Sequence, residues 1–147
     1  MNSKSVLLFL FSILYGLLVI NFVDLLVSPK IMNAYHLWPQ SMYLIPYIPL
    51  MIVGGVKLIP LCVTSAIMTS LMNDLLYAPV GILLLNRKYD LVDWYLFQLG
   101  FRGFEVRWFM FYGVIEVPVS SLGLGISIYL RILITALLIS MYVIRLR

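Results

Sequence analysis

The chain has 147 residues, 63% of them hydrophobic and 11% charged, with a formal net charge of +4 and a mean hydropathy of +1.06. Soluble domains carry about 25% charged residues, so this composition excludes a soluble globular fold and makes residues 1–147 a single integral membrane domain. The cations flank apolar runs and no aromatic-interleaved basic tract occurs, which assigns the basic excess to lipid headgroups and topology and not to nucleic acid.

After a short polar start, Val6 to Val27 is an apolar run of about 22 residues, near ~33 Å as a helix. It exceeds the roughly 7 to 15 residues of a signal-peptide core and no small-residue cleavage site follows, so a retained first span is expected. Asn21 and Asp24 share a face near its end, where Asp24 is expected to reach the headgroup region. In the loop that follows, Tyr35, His36 and Trp38 suit the membrane interface. His36 is the sole histidine, which excludes a site needing two imidazoles from one chain.

From Met42 to Lys57 a second span is predicted, about 15 apolar residues long and kinked by Pro46 and Pro49. Each proline removes a backbone donor, which inside a bilayer requires packing against protein. The third span, Leu58 to Leu85, holds Asn73 and Asp74 in its second half. An aspartate near a helix centre costs roughly 2.5 to 3.5 kcal/mol on insertion, so Asp74 must be protonated, paired or wet. Ser65, Thr69 and Asn73 recur every four residues as a polar stripe, and Pro79 should loosen the backbone a turn after Asp74. The lone Cys62 excludes an intrachain disulfide and reads as an inert buried thiol.

Residues 86–107 form a basic connection, expected on the cytoplasmic side, with a short amphipathic helix from Asp90 to Gln98 in the headgroup plane, ended by Gly100 and Gly103. Trp108 to Val119 would span only ~20 Å as a helix, and is expected as a short fourth crossing or a re-entrant piece. Ser120 to Ile144 is the last span, with small residues at Ser121, Gly123, Gly125 and Ser127 for close helix approach and Arg131 in its interior.

The predicted fold is therefore an all-α polytopic bundle of about five spans with one interfacial helix. Five crossings place most cations inside, with the N-terminus outside and the C-terminus cytoplasmic in the cell membrane. That topology sets Asp74 and Arg131 at nearly the same depth, facing each other, with Asn73 or Tyr77 as further hydrogen-bond partners and Glu116 as the rival partner of Arg131. The candidate intramembrane cluster is Asn73, Asp74, Tyr77, Glu116 and Arg131.

Phosphate-binding loops, HExxH, GxSxG and paired cysteines are absent, and no cofactor or metal is expected. The first expectation is a non-catalytic subunit, its partners the lipid bilayer and other membrane chains in a hetero- or homo-oligomer. The second is a proton- or ion-linked carrier or channel using Asp74 and Arg131. The third is an intramembrane enzyme on a lipid or isoprenoid-like substrate, with Glu116, Asp74 or the Asp90 and Asp93 pair as acid or base. A cavity reaching Asp74 favours the second or third, and dry packing the first.

Overall fold

A computed structural model describes residues 3–27 and 35–145. Helix α1 (Ser3–Leu14) passes through a π-helical turn (Tyr15–Ile20) into α2 (Asn21–Leu26), and the extra residue in that wide turn shifts the face presented beyond it. Gly16 sits where this happens. A Cβ there would lie 2.7 Å from the Thr69 carbonyl oxygen, so only glycine lets the first helix come this close to the backbone of α5 (Ile59–Leu85).

Between them the chain returns through four short pieces: α3 (Leu37–Leu44), a 3-10 turn (Ile45–Tyr47), α4 (Ile48–Gly54) and a second 3-10 turn (Gly55–Lys57). Pro46 and Pro49 each open one of the two middle pieces, where their missing donors do no harm, and Gly55 ends the third at a φ of +59°. Tyr47, Cys62 and Ala66 form one buried cluster, with Leu8, Met51 and Leu58 packed around it.

Among the described residues three helices are long and apolar enough to cross a membrane: Val6–Leu26, Ile59–Leu85 and Ser121–Tyr142. The count of five is not reached. The Met42–Lys57 segment is broken, and Trp108–Val119, expected as a short fourth span, is a β-hairpin of β1 (Val106–Tyr112) and β2 (Ile115–Ser120). Its sequence, VRWFMFY followed by IEVPVS, is dense in aromatic and β-branched residues, which suit a pleated surface better than a helix. Tyr112 pairs with Ile115 across a two-residue turn in which Gly113, at a φ of +77°, takes the left-handed position.

Helix α6 (Leu91–Gln98) starts at Asp90, whose carboxylate accepts from the Val92 and Asp93 N–H groups at 3.0 and 3.1 Å. It lies against the C-terminal half of α5, where Pro79 withholds the donor that the Leu75 carbonyl would otherwise receive and the Tyr95 hydroxyl supplies one at 2.9 Å. Helix α7 (Ser121–Arg145) leaves from the same end. The Ser121 hydroxyl donates to the Phe97 carbonyl at 2.6 Å, and a Cβ on Gly125 would come within 2.7 Å of the Leu99 carbonyl oxygen. The small residues at the start of α7 thus serve a contact with the end of α6. A second core forms there from Leu71, Phe97, Val119, Leu124 and Ile128.

These contacts set the helix directions. Ser12 meets Thr69 and Leu25 meets Gly81, so the first helix and α5 run the same way. Arg131, ten residues beyond Ser121, reaches back to Ser70, so α7 runs against α5. Ser3 and Arg145 consequently lie at one end of the bundle. The expectation of termini on opposite sides depended on the Trp108 segment crossing, and a hairpin that pairs Val106 with Ser120 begins and ends at one level.

A polar cavity between the helices

Along α5 the stripe of Ser65, Thr69 and Asn73 faces the first helix and the broken return. The Thr69 hydroxyl lies 2.8 Å from the Tyr47 hydroxyl and 3.0 Å from the Ser65 carbonyl. One turn further, the Asn73 Nδ2 donates to Asp24 Oδ2 at 3.2 Å and to the Tyr43 hydroxyl at 3.1 Å. Those two bonds fix which end of the amide is which, and leave Asn73 Oδ1 buried and without a partner.

The next residue points round the helix to α7. Asp74 Oδ2 accepts from Arg131 Nη2 at 2.5 Å, while Arg131 Nη1 donates to the Ser70 hydroxyl at 2.7 Å and its Nε to the Ser127 carbonyl at 3.2 Å. The two side chains are 18% and 25% exposed, so the pair is mostly desolvated, and the fork of the guanidinium is spread over three acceptors.

These groups border a half-open cavity of about 700 Å³ lined by residues of α2, α3, α5, α6, α7 and the hairpin. Its aromatic wall is a stack. Tyr77 lies on Trp94 at 5.7 Å and 14°, Trp94 lies on Trp108 at 5.6 Å and 22°, and Tyr89 meets Trp94 edge-on at 5.7 Å. Gln98 also borders the space, is 3% exposed, and has its Oε1 unpaired.

Of the five residues expected as a cluster, Asn73, Asp74, Tyr77 and Arg131 all line this cavity. Glu116 does not: it is exposed on β2 opposite Phe111, a consequence of the hairpin replacing the expected crossing. The partner assignments also differ from expectation. Asn73 serves Asp24, Tyr77 stacks on Trp94, and it is Ser70 that shares Arg131 with Asp74. Asp24, expected at the headgroups, stands in the cavity wall because the first helix turns its Asn21 and Asp24 face onto α5. Asn21 and Asp24, polar and three apart within an apolar run, were the signal for it; Tyr43 and Gln98 had none.

The remaining carboxylates are committed elsewhere. Asp90 caps α6, and Asp93 pairs with Arg102 and Arg107, each at 2.5 Å, with Glu105 on Arg107 at 2.6 Å. The Arg107 hydrogen bonds, with the one from Arg102, hold the Asp93 carboxyl below the usual carboxylate range. Arg107 also lies 4.7 Å over the Phe97 ring.

Where the return meets the hairpin, His36 and Phe111 exchange two bonds: the Phe111 N–H donates to His36 Nδ1 at 2.8 Å and the His36 N–H to the Phe111 carbonyl at 3.1 Å. Burial lowers the imidazole's pKa from its ordinary value, which keeps Nδ1 free to accept. Gln40 adds a bond to the Tyr112 hydroxyl at 2.8 Å.

Among the described residues no three His, Cys, Asp or Glu side chains gather as a metal site would require. Comparison with protein-family models, with curated proteins and with solved structures gives no match.

Proposed function

We propose that this chain is a multi-pass carrier of the cell membrane that takes up a proton or a small cation in the cavity between its helices, with Asp24 as the receiving group. The observation behind it is an imbalance of charge. Asp74 and Arg131 neutralise each other, whereas Asp24 has a neutral amide as its hydrogen-bond partner and no cation among the described residues. A carboxylate in a mostly apolar wall, facing roughly 700 Å³ of space, is stabilised by whatever positive charge enters. The Asp74–Arg131 pair then acts as a fixed strut between α5 and α7. The broken return, interrupted at Pro46, Pro49 and Gly55, supplies the segment whose backbone can rearrange while lining a polar space.

Proteoliposomes containing the purified chain test this. An imposed gradient of protons, or of sodium or potassium, should drive flux that falls at least about tenfold in Asp24→Asn and is retained in Asp24→Glu. Flux through the parent chain no greater than in empty vesicles would remove the carrier role, and flux undiminished in Asp24→Asn would remove Asp24 as the receiving group.

A second reading, a subunit of a larger membrane assembly, is supported by the outer face of α7, where Ile126, Leu130, Leu133 and Leu137 are exposed. A native mass above that of the monomer with a co-purifying chain would favour it; a monomer alone would count against it.

A further inference from the structure

We infer that the occupant of the cavity is a protonated primary amine with an apolar or aromatic body, its ammonium group held at Asp24 and its body against the Tyr77, Trp94 and Trp108 stack. This rests on the reading of Asp24 as the receiving group and names the class of molecule it would receive. Three independent features of the wall point the same way. The first is charge: the cavity border carries Asp24, Asp74 and Arg131, one more carboxylate than guanidinium.

The second is the polarity of the unsatisfied groups. Asn73 is 6% exposed and Gln98 3%, both border the space, and each keeps a carbonyl oxygen without a partner, Oδ1 and Oε1. Buried acceptors of this kind are costly unless a donor reaches them, and the three Arg131 N–H bonds go to Asp74, Ser70 and Ser127 and not to these oxygens. An R–NH₃⁺ group brings three donors and one charge, which a bare alkali cation or a quaternary ammonium does not. The Trp94 indole N–H is likewise unpaired, so a hydroxyl or ether oxygen on the ligand's body would also find a partner.

The third is the aromatic wall. The rings of Tyr77, Tyr89, Trp94 and Trp108 border the space and, packed on one another, offer a rigid aromatic surface to an apolar body. The volume of about 700 Å³ lies within the range of roughly 300 to 1,000 Å³ usual for small-molecule sites, and is far larger than a dehydrated metal ion needs.

The test uses the full chain in nanodiscs and reads binding by calorimetry and by quenching of tryptophan emission. 2-Phenylethylamine, protonated at pH 7, should bind saturably. 2-Phenylethanol, of the same shape without the charge, and tetramethylammonium, charged without donors, should each bind at least about tenfold more weakly. Asp24→Asn should weaken the amine at least about tenfold. Because that variant can also disturb folding, Gln98→Met provides a second arm: it removes an unpaired acceptor and no hydrogen bond, and should weaken the amine several-fold while leaving tetramethylammonium unchanged.

Equal affinity for the amine and the alcohol, or amine binding indifferent to both substitutions, would overturn the inference. Asp24-dependent proton or sodium flux with no amine binding would refute the amine and keep the carrier. Amine binding dependent on Asp24 without any flux would keep the site and refute the carrier.

Discussion

The Tyr95 hydroxyl donates to the Leu75 carbonyl at 2.9 Å, and Leu75 is the residue four before Pro79, whose ring nitrogen has no hydrogen to give. A proline that would leave an acceptor stranded inside α5 is thereby matched by a phenol on α6, and the bond docks α6 against the C-terminal half of the central helix. The consequence reaches the cavity, because Trp94, next to Tyr95, carries the middle ring of the aromatic stack.

Tyr95→Phe should therefore destabilise the bundle by about 1 kcal/mol, the net value of one such bond, measured by denaturant titration in detergent micelles. Pro79→Ala restores the helix's own donor to Leu75. In that background Tyr95→Phe should cost close to nothing, and an undiminished cost would show that the hydroxyl acts elsewhere.

Removing one member of the Asp74–Arg131 pair strands the other. Asp74→Asn or Arg131→Gln alone should cost roughly 2 to 3 kcal/mol, below the 3 to 5 of a fully buried pair because both side chains keep some exposure. The double variant should recover part of that loss. Two single variants as stable as the parent would mean the pair does not hold α5 to α7.

The bond from the Phe111 N–H to His36 Nδ1 requires a neutral imidazole. Burial places the folded-state pKa below the ordinary value of 6.5, so the unfolded chain takes up the proton first. The contribution of this clasp is therefore full above that ordinary value and is lost as the pH falls through the lower, folded one. Hydrogen exchange at the Phe111 amide should accelerate on acidification, and His36→Asn, which keeps an acceptor but does not titrate, should flatten the response. Acceleration of equal size in His36→Asn would assign the effect to another group.

The hairpin turn and the basic connection should be reachable from one side of the membrane. Single cysteines at Val114 and at Lys88, in a Cys62→Ala background, should react with an impermeant maleimide from the same face of oriented vesicles. A cysteine replacing Lys57 should react from the opposite face. Labelling of Val114 together with Lys57 would restore a crossing at the Trp108 segment.

Composition and run length by themselves determine that this is a membrane protein, because no soluble fold can hide so much apolar surface, and they locate three runs able to cross. The cost of burying an unpaired charge likewise pointed from Asp74 to Arg131, and the match of depth survives the reversed direction of α7 because both residues lie near the middle of their runs. Secondary structure at Trp108–Val119 was not legible in this way: a short apolar run serves strand or helix equally, and what decides is whether a partner strand and a turn glycine close the ladder. Only the tertiary structure decided where Asp24 belongs. A residue near a helix end faces headgroups or a neighbour according to the rotation and approach of its helix, and here a π-turn and Gly16 bring that face onto α5. The cavity is a property of that approach, since its walls come from segments far apart in the chain and no local pattern records the space between them.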